Sequence, residues 1–331
     1  MQKTYNFLHD INNKKNSLME HNRRGFLKLS GSALIAISGL TSCKTPSLLS
    51  ASPVQFRWEK CLDNPVLTHG LPGSWDENIR ERMWVIYEDG KFHGWYGGWN
   101  GKYNKNAMNL VHLGYATSDD GMHWTKYGNN PVYKGRWIED MSVVKFGDTY
   151  HMFAEDESND RPVIHRLTSK DKIAWTEQGN VLEKMKGSDW EGSWVGTPLA
   201  WKESNGWYML YEGGDPGDIG LAKSSDGINW KRVQQRSVLP QGIGWENEAT
   251  APDSILKKNG IYYLFYHATG KKWQSGMAVS KDLLHWTRYP GNPVFPDTSP
   301  VIVETPDRYF LYTTNDTDDP QGEIYAYVSL K

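Results

Sequence analysis

The sequence predicts an all-β chain, a five-bladed β-propeller closed by pairing of its N- and C-terminal strands. Two observations carry this. A Ser-x-Asp turn followed by tryptophan returns at Ser118 to Trp124, Ser169 to Trp175, Ser224 to Trp230 and Ser280 to Trp286. Successive tryptophans therefore stand 51, 55 and 56 residues apart, a period closer to a four-stranded blade than to a helical repeat. A fifth copy is split across the termini, its front half at Ile324 to Ser329 and its back half running from Phe56-Arg57-Trp58 to Asn64-Pro65-Val66-Leu67. The step from Trp58 to Asn64-Pro65 recurs from Trp124 to Asn130-Pro131 and from Trp286 to Asn292-Pro293. Joining the two halves removes the edges that an open sheet would expose.

Taken in order, residues 1–43 read as an export segment. Arg23-Arg24-Gly25-Phe26-Leu27-Lys28 resembles a twin-arginine signal, which implies export in the folded state. An apolar stretch follows from Leu29 to Leu40, then the lipobox-like Leu40-Thr41-Ser42-Cys43. The apolar stretch is too short to span a bilayer permanently. Cys43 is the expected lipidation site, and residues 44–53 a tether. Cys61 is then the only other cysteine, so the exported chain has no intramolecular disulfide. These readings place the protein on a membrane through a lipid, periplasmic-facing or at the cell surface, as a monomer. A net charge of -2 argues against nucleic acid as partner.

Residues 54–331 hold the ring. Each blade has an apolar inner strand: Met83 to Tyr87, Met141 to Lys145, Pro198 to Lys202, Asp253 to Lys257 and Pro300 to Glu304. Each is followed by a tight turn and an aromatic second strand: Lys91 to Gly97, Thr149 to Glu155, Trp207 to Gly213, Ile261 to His267 and Arg308 to Thr314. Because strand direction alternates, the first-to-second turns and the Ser-x-Asp turns share one face. They are short and uniform, as scaffolding should be. The opposite face gathers the varied loops that enter the inner strands and leave the second strands, and chemistry is expected there. Aromatic residues make up 13% of the chain, more than blade packing alone requires, and aromatic faces stack on sugar rings.

A residue present in every repeat is scaffolding, whereas one that breaks the repeat at the mouth of the ring needs another reason. Trp followed by an acid recurs at Trp75-Asp76, Trp137 to Glu139, Trp190-Glu191 and Trp245-Glu246, so Asp76, Glu191 and Glu246 stand open between a blade-fixing and a direct role. Glu81, Asp140, Glu248 and Asp253 break the pattern and are the expected catalytic residues. Such a set suits glycosidic bond cleavage. One carboxylic acid protonates the leaving oxygen and a second carboxylate activates water or attacks the anomeric carbon, at roughly 6.5–9.5 Å separation for inversion and roughly 5–5.5 Å for retention. A third raises the acid's pKa by repulsion.

The repeat, the Glu248-Ala249-Thr250-Ala251-Pro252-Asp253 run and the strand Ile261 to Tyr266 resemble the five-bladed β-propeller glycosidases, the glycoside hydrolase family 43 and family 32 superfamily, over nearly all of residues 54–331. The resemblance implies that Asp253, in Ala-Pro-Asp, modulates the acid's pKa, and that the Glu139-Asp140-Met141 segment holds a strand-start acid. Two departures stand out: Arg80-Glu81-Arg82 replaces the expected Asp-Pro of the first blade, and Ala-Pro-Asp lies in the fourth blade rather than the second.

Arg80, Arg82, Arg136, Arg161 and His165 fall at or near the same rim, as salt-bridge partners of the acids or as binders of a uronate or sulfate. The expected substrate-binding set is Trp99, Trp137, Glu191, Trp194, Trp245, His267, Arg80 and Arg161. No Gly-x-Ser-x-Gly, His-Glu-x-x-His, Cys-x-x-Cys or P-loop pattern occurs. No cofactor or metal ligand set is required, although a structural Ca²⁺ in the central channel is compatible. The expectation is an exo-acting glycoside hydrolase that releases a terminal sugar from plant or algal oligosaccharides, with Glu248 as acid, Asp140 or Glu81 as base and Asp253 tuning the acid. Its rivals are a phosphorylase or transglycosidase on the same fold, and a non-catalytic glycan-binding lipoprotein.

Overall fold

A tight turn follows every inner strand, and each inner strand is apolar enough to be buried on both faces, so the chain stacks four-stranded antiparallel sheets around a channel. The computed structural model describes residues 54, 56–100, 111–158, 162–214, 217–315 and 322–331. The expected export segment, Cys43 and the tether 44–53 lie outside the described residues, as does Arg161.

The blades are, from inner to outer strand, β2 (Asn78–Glu88), β3 (Lys91–Trp99), β4 (His112–Ser118) and β5 (Thr125–Lys126); β6 (Glu139–Phe146), β7 (Thr149–Asp156), β8 (Val163–Ser169) and β9 (Thr176–Leu182); β10 (Val195–Glu203), β11 (Gly206–Gly213), β12 (Asp218–Ser224) and β13 (Lys231–Arg232); β14 (Ala249–Lys258), β15 (Ile261–Thr269), β16 (Trp273–Ser280) and β17 (Thr287–Arg288). The fifth blade runs β18 (Thr298–Glu304), β19 (Arg308–Thr314), β20 (Ile324–Leu330) and then β1 (Glu59–Lys60). Glu59 pairs with Val328 and Lys60 with Tyr327, so the ring closes as expected. The expected inner and second strands all lie within observed ones.

The repeated text is scaffolding. In each Ser-x-Asp turn the serine hydroxyl accepts from a backbone N–H three residues on, while the aspartate accepts from two more. Each repeated Asn-Pro asparagine binds both backbone groups of a neighbouring-strand residue. Asn130 holds Tyr115, Asn292 holds Met277, and Asn64 holds Ala326 across the closure.

Every inner strand carries a β-bulge near its start: between Arg80 and Trp84, Glu139 and Ser142, Gly196 and Leu199, Pro252 and Ser254, and Thr298 and Val301. Bulges re-aim side chains. Here they lie at one end of the ring, beside the exits of the second strands.

Candidate active site

The bulges explain where the chemistry sits. Glu81, Asp140, Thr197 and Ser299 occupy corresponding positions in four of them and share a left-handed backbone, with φ of 51°, 44°, 46° and 51°. Glu81 and Asp140 thus stand at a position common to the repeat, and what varies there is the side-chain chemistry. In the fourth blade the bulge carries Asp253.

Arg82 crosses the channel from the first blade and is fully buried. Its guanidinium donates to the carbonyl oxygens of Pro198 (3.4 Å), Pro252 (3.1 Å) and Asp253 (3.2 Å), and to Asp140 Oδ1 (3.4 Å). It also pairs with Asp253 Oδ1 at 3.7 Å. These donors occupy the oxygens that a channel cation would need, so the residues here do not fit the Ca²⁺ considered from the sequence. Among the described residues no cluster of three or more His, Cys, Asp or Glu could hold a metal.

Around Arg82 the acids crowd. His267 Nδ1 lies 2.9 and 3.0 Å from the two oxygens of the fully buried Asp253. Burial opposes the imidazolium, but Asp253, Asp140 and Glu212 outweigh that and push His267 up to about 9. Glu212, ending β11, is pushed up to about 7 by burial, with Asp140 and Asp253 adding to the rise. Asp140 is pushed up to about 6, chiefly by burial, against the pull of Arg82 and His267. On the second blade, burial and neighbouring carboxylates push Glu157 up to about 7 and hold Glu155 well above its usual range. The side chain of Asp140 keeps 10% of its surface open, and Glu212 as a residue keeps 7%. This divergence of environments is how one site keeps a protonated acid beside an ionised carboxylate near neutral pH.

The structure brings together Asp140, Asp253 and His267 from the expected set. Glu81 is near: its backbone oxygen accepts from Thr314 Oγ1 at 2.6 Å and its charge acts on Arg80. Glu248 precedes β14, its N–H bonds Thr269 O at 2.9 Å, and it is not among the main charges acting on Asp140, Glu155, Glu157 or Glu212.

The expected binding residues divide in the same way. Arg80 donates twice to Glu139 Oε1, at 2.8 and 2.6 Å, and lies over the Trp99 ring. Trp99 and Trp137 are buried together with Val111, and Trp137 Nε1 donates to Glu139 Oε2 at 2.6 Å. They form a wall, not an open platform. Trp245 is stacked on Tyr266, 5.9 Å between centroids, within the packing between blades. Trp194 is half-buried over Gly214, where a Cβ would meet the indole at 2.0 Å.

Glu191 requires a correction, because it is fully buried and saturated by Tyr211 Oη (2.9 Å), Arg232 (2.7 and 3.0 Å) and Met185 N (2.7 Å). Glu246 with Tyr266 and Arg288, and Asp76 with Tyr96 and Lys126, repeat this arrangement. All three acids fix blades, so Glu191 does not contact substrate. Arg136 pairs with Asp156 and Glu177, and His165 with Glu177. Both are salt-bridge partners.

The sequence places Glu155, Glu157 and Glu212 on the loop-rich face without singling them out, and it gives no sign of Thr197 or of Trp273, whose ring meets His267 edge-on at 5.1 Å. A signal existed. Aligned by register, the second strands place Gly97, Glu155, Glu212, His267 and Thr314 in one column, opposite the inner-strand entries. That column varies as a site should.

No family model matches the chain. Among curated proteins it is 26% identical over 219 residues to the raffinose invertase of Escherichia coli, covering 62% of this chain and 44% of that protein. It is 28% identical over 225 residues to the 1,2-beta-oligomannan phosphorylase of Thermoanaerobacter sp. (strain X514), covering 64% of this chain and 72% of that one. The chain thus spans less than half the length of the invertase. Among solved structures, a glycosyl hydrolase from Bacteroides ovatus superposes with a TM-score of 0.67 at 15% identity, over 82% of this chain and 93% of that one. Relatives by sequence therefore include both hydrolases and phosphorylases, and the fold is that of the five-bladed β-propeller glycosidase superfamily.

Proposed function

We propose that this protein is a glycoside hydrolase that removes a terminal sugar from an oligosaccharide, with Glu212 as general acid and Asp140 as the partner carboxylate. One observation carries the reading: carboxyls from three blades, Asp140, Glu212 and Asp253, act on one another at one end of the channel, and two of them titrate near neutrality. Glu212 gives its proton to the leaving glycosidic oxygen as the bond to the anomeric carbon breaks. Asp140, ionised above about 6, serves the opposite side of that carbon, and water supplies the hydroxyl of the freed sugar. Asp253 keeps the proton on Glu212 by repulsion, in the tuning role expected for it. Trp194 and Trp273, half-buried at the same rim, are the indoles best placed to stack on the sugar.

The phosphorylase reading is favoured by the oligomannan phosphorylase, which this chain covers more fully than the invertase. Charge favours water. Among the described residues Arg80, Arg82, Arg136 and His267 are each already paired with carboxylates, leaving no uncompensated cation among them for phosphate or for a uronate or sulfate. Incubating residues 54–331 with plant, algal and β-1,2-mannoside oligosaccharides, with and without phosphate, tests both. Free sugar without phosphate, lost in Glu212→Gln and Asp140→Asn, supports hydrolysis; a sugar phosphate overturns it. Binding without product on any substrate makes the protein a glycan-binding module.

Export through the Arg23-Arg24 segment and lipid attachment at Cys43 complete the proposal. Cys43→Ser is expected to move the protein from the membrane fraction to the soluble one; unchanged membrane association rejects the anchor.

A further inference from the structure

Thr197 is a β-branched residue held at φ 46°, a conformation that costs such residues free energy and persists only where the surroundings impose it. Glycine would occupy it without strain. What threonine adds is a hydroxyl. Thr197 Oγ1 donates to Glu212 Oε2 at 2.9 Å, and its backbone N–H donates to Glu155 Oε2 at 2.7 Å. The two carboxyls come from different blades, one at the end of β11 and the other at the end of β7. The preceding residue makes room for the second: a Cβ on Gly196 would lie 2.2 Å from Glu155 Oε2. The third bulge is thus built to receive one carboxyl on its amide and another on its hydroxyl.

We infer that Thr197 is a positioning residue of the reaction, its hydroxyl fixing the Glu212 carboxyl in the direction from which the proton leaves. The inference rests on Glu212 being the acid. The other charged groups that face Glu212 are His267 from β15, Asp140 from β6, Asp253 from β14 and Glu155 from β7, and none of them depends on the Thr197 hydroxyl. Because that hydroxyl stabilises the ionised carboxylate, removing it raises the pH at which Glu212 loses its proton. Serine preserves the bond and tolerates the backbone, as Ser299 shows in the corresponding bulge at φ 51°.

The test compares Thr197→Gly, which relaxes the backbone and deletes the hydroxyl, with Thr197→Ser. The Glu212 carboxyl is titrated by its infrared C=O band, assigned with Glu212→Gln, and kcat and KM are measured against pH on any glycoside that the wild type cleaves. In Thr197→Gly the titration midpoint and the alkaline limb of kcat are expected to move up by at least about half a pH unit. The same variant should lose about tenfold or more in kcat with KM nearly unchanged, and Thr197→Ser should restore both. An unmoved midpoint, a serine variant as impaired as the glycine one, or a Thr197→Gly chain that no longer folds would overturn the inference. Absence of cleavage by the wild type sinks the hydrolase reading instead, and the infrared midpoint still judges Thr197.

Discussion

The imidazole of His267, on β15 of the fourth blade, bonds through Nδ1 to both oxygens of Asp253, in the inner strand of the same blade, at 2.9 and 3.0 Å. Asp253 is held from the first blade as well, by Arg82. From this buried position between Arg82 and His267 its charge bears on Asp140 and Glu212. In the proposed reaction Asp253 would therefore act through Glu212 and Asp140 rather than by touching a substrate.

Asp253→Asn removes that charge. The carboxyl of Glu212 then loses its proton at lower pH, so the alkaline limb of the pH–kcat profile is expected to move down. Asparagine leaves Arg82 and His267 short of a countercharge, and a stability loss of about 3 kcal/mol should accompany it. A pH profile that does not move would show that Asp253 only supports the fold.

The site also sets how stability depends on pH. Asp140 (about 6), Glu157 (about 7), Glu212 (about 7) and His267 (about 9) all hold their protons to higher pH in the folded chain than an unfolded chain would. The folded state binds more protons, so stability falls as pH rises. The carboxyls act between about 4 and 7. The stabilising His267 contribution is complete below about 6.5 and is lost as pH rises through about 9. Glu88 and Asp282, both held down to about 2, oppose this in acid, and His93 and His151, held down to about 4 by burial, oppose it between about 4 and 6.5. Melting temperature should therefore vary little between about pH 5 and 6.5 and decline from there towards pH 9, and Glu212→Gln should remove part of the fall below about pH 7. A melting temperature that rises between pH 7 and 9 contradicts the assignment.

Glu191→Ala separates scaffold acids from chemical ones. It strips Arg232 and the Tyr211 hydroxyl of their shared partner and should cost about 3 kcal/mol, measured by urea unfolding. With the fold retained, kcat is expected to stay within about twofold of the wild type, a change of less than 0.5 kcal/mol in the barrier. A large loss of kcat would return Glu191 to the reacting centre.

Arg82→Ala leaves three buried backbone carbonyls without their donor and Asp140 and Asp253 without its charge. A loss of about 3–5 kcal/mol is expected, while treating the wild type with EDTA should leave its melting temperature unchanged. A clear drop on chelation would mean that a metal, not the guanidinium, ties the channel.

The ring was readable because its scaffold is written in repeats. Ser118, Ser169, Ser224 and Ser280 open the same turn, and Asn64, Asn130 and Asn292 clamp the same neighbouring strand. Asp140, Asp253 and His267 were readable as site candidates because each is an unusual residue type at a strand end. Glu212 and Glu155 fall on the same loop-rich face but were not singled out, since a glutamate closing an aromatic strand looks like an ordinary solvated strand end. Their burial comes from β10, β6 and β14, which the local text does not contain. Glu248 lies next to the start of β14, whereas the inward turn of that strand comes at the bulge around Asp253. Trp99 and Trp137 resembled sugar platforms because composition cannot tell a buried indole from an open one, and half-buried Trp245 because composition cannot show that it is stacked on Tyr266.

The pairing of β1 with β20 joins residues that lie more than 260 positions apart. During synthesis the clasp has no partner until almost the whole chain has left the ribosome, and the first four blades must wait with an open seam. The closing step is therefore among the last pairings the ring can make. A chain truncated within β20 would keep most of its blades and still present an unpaired strand edge open to pairing with another chain.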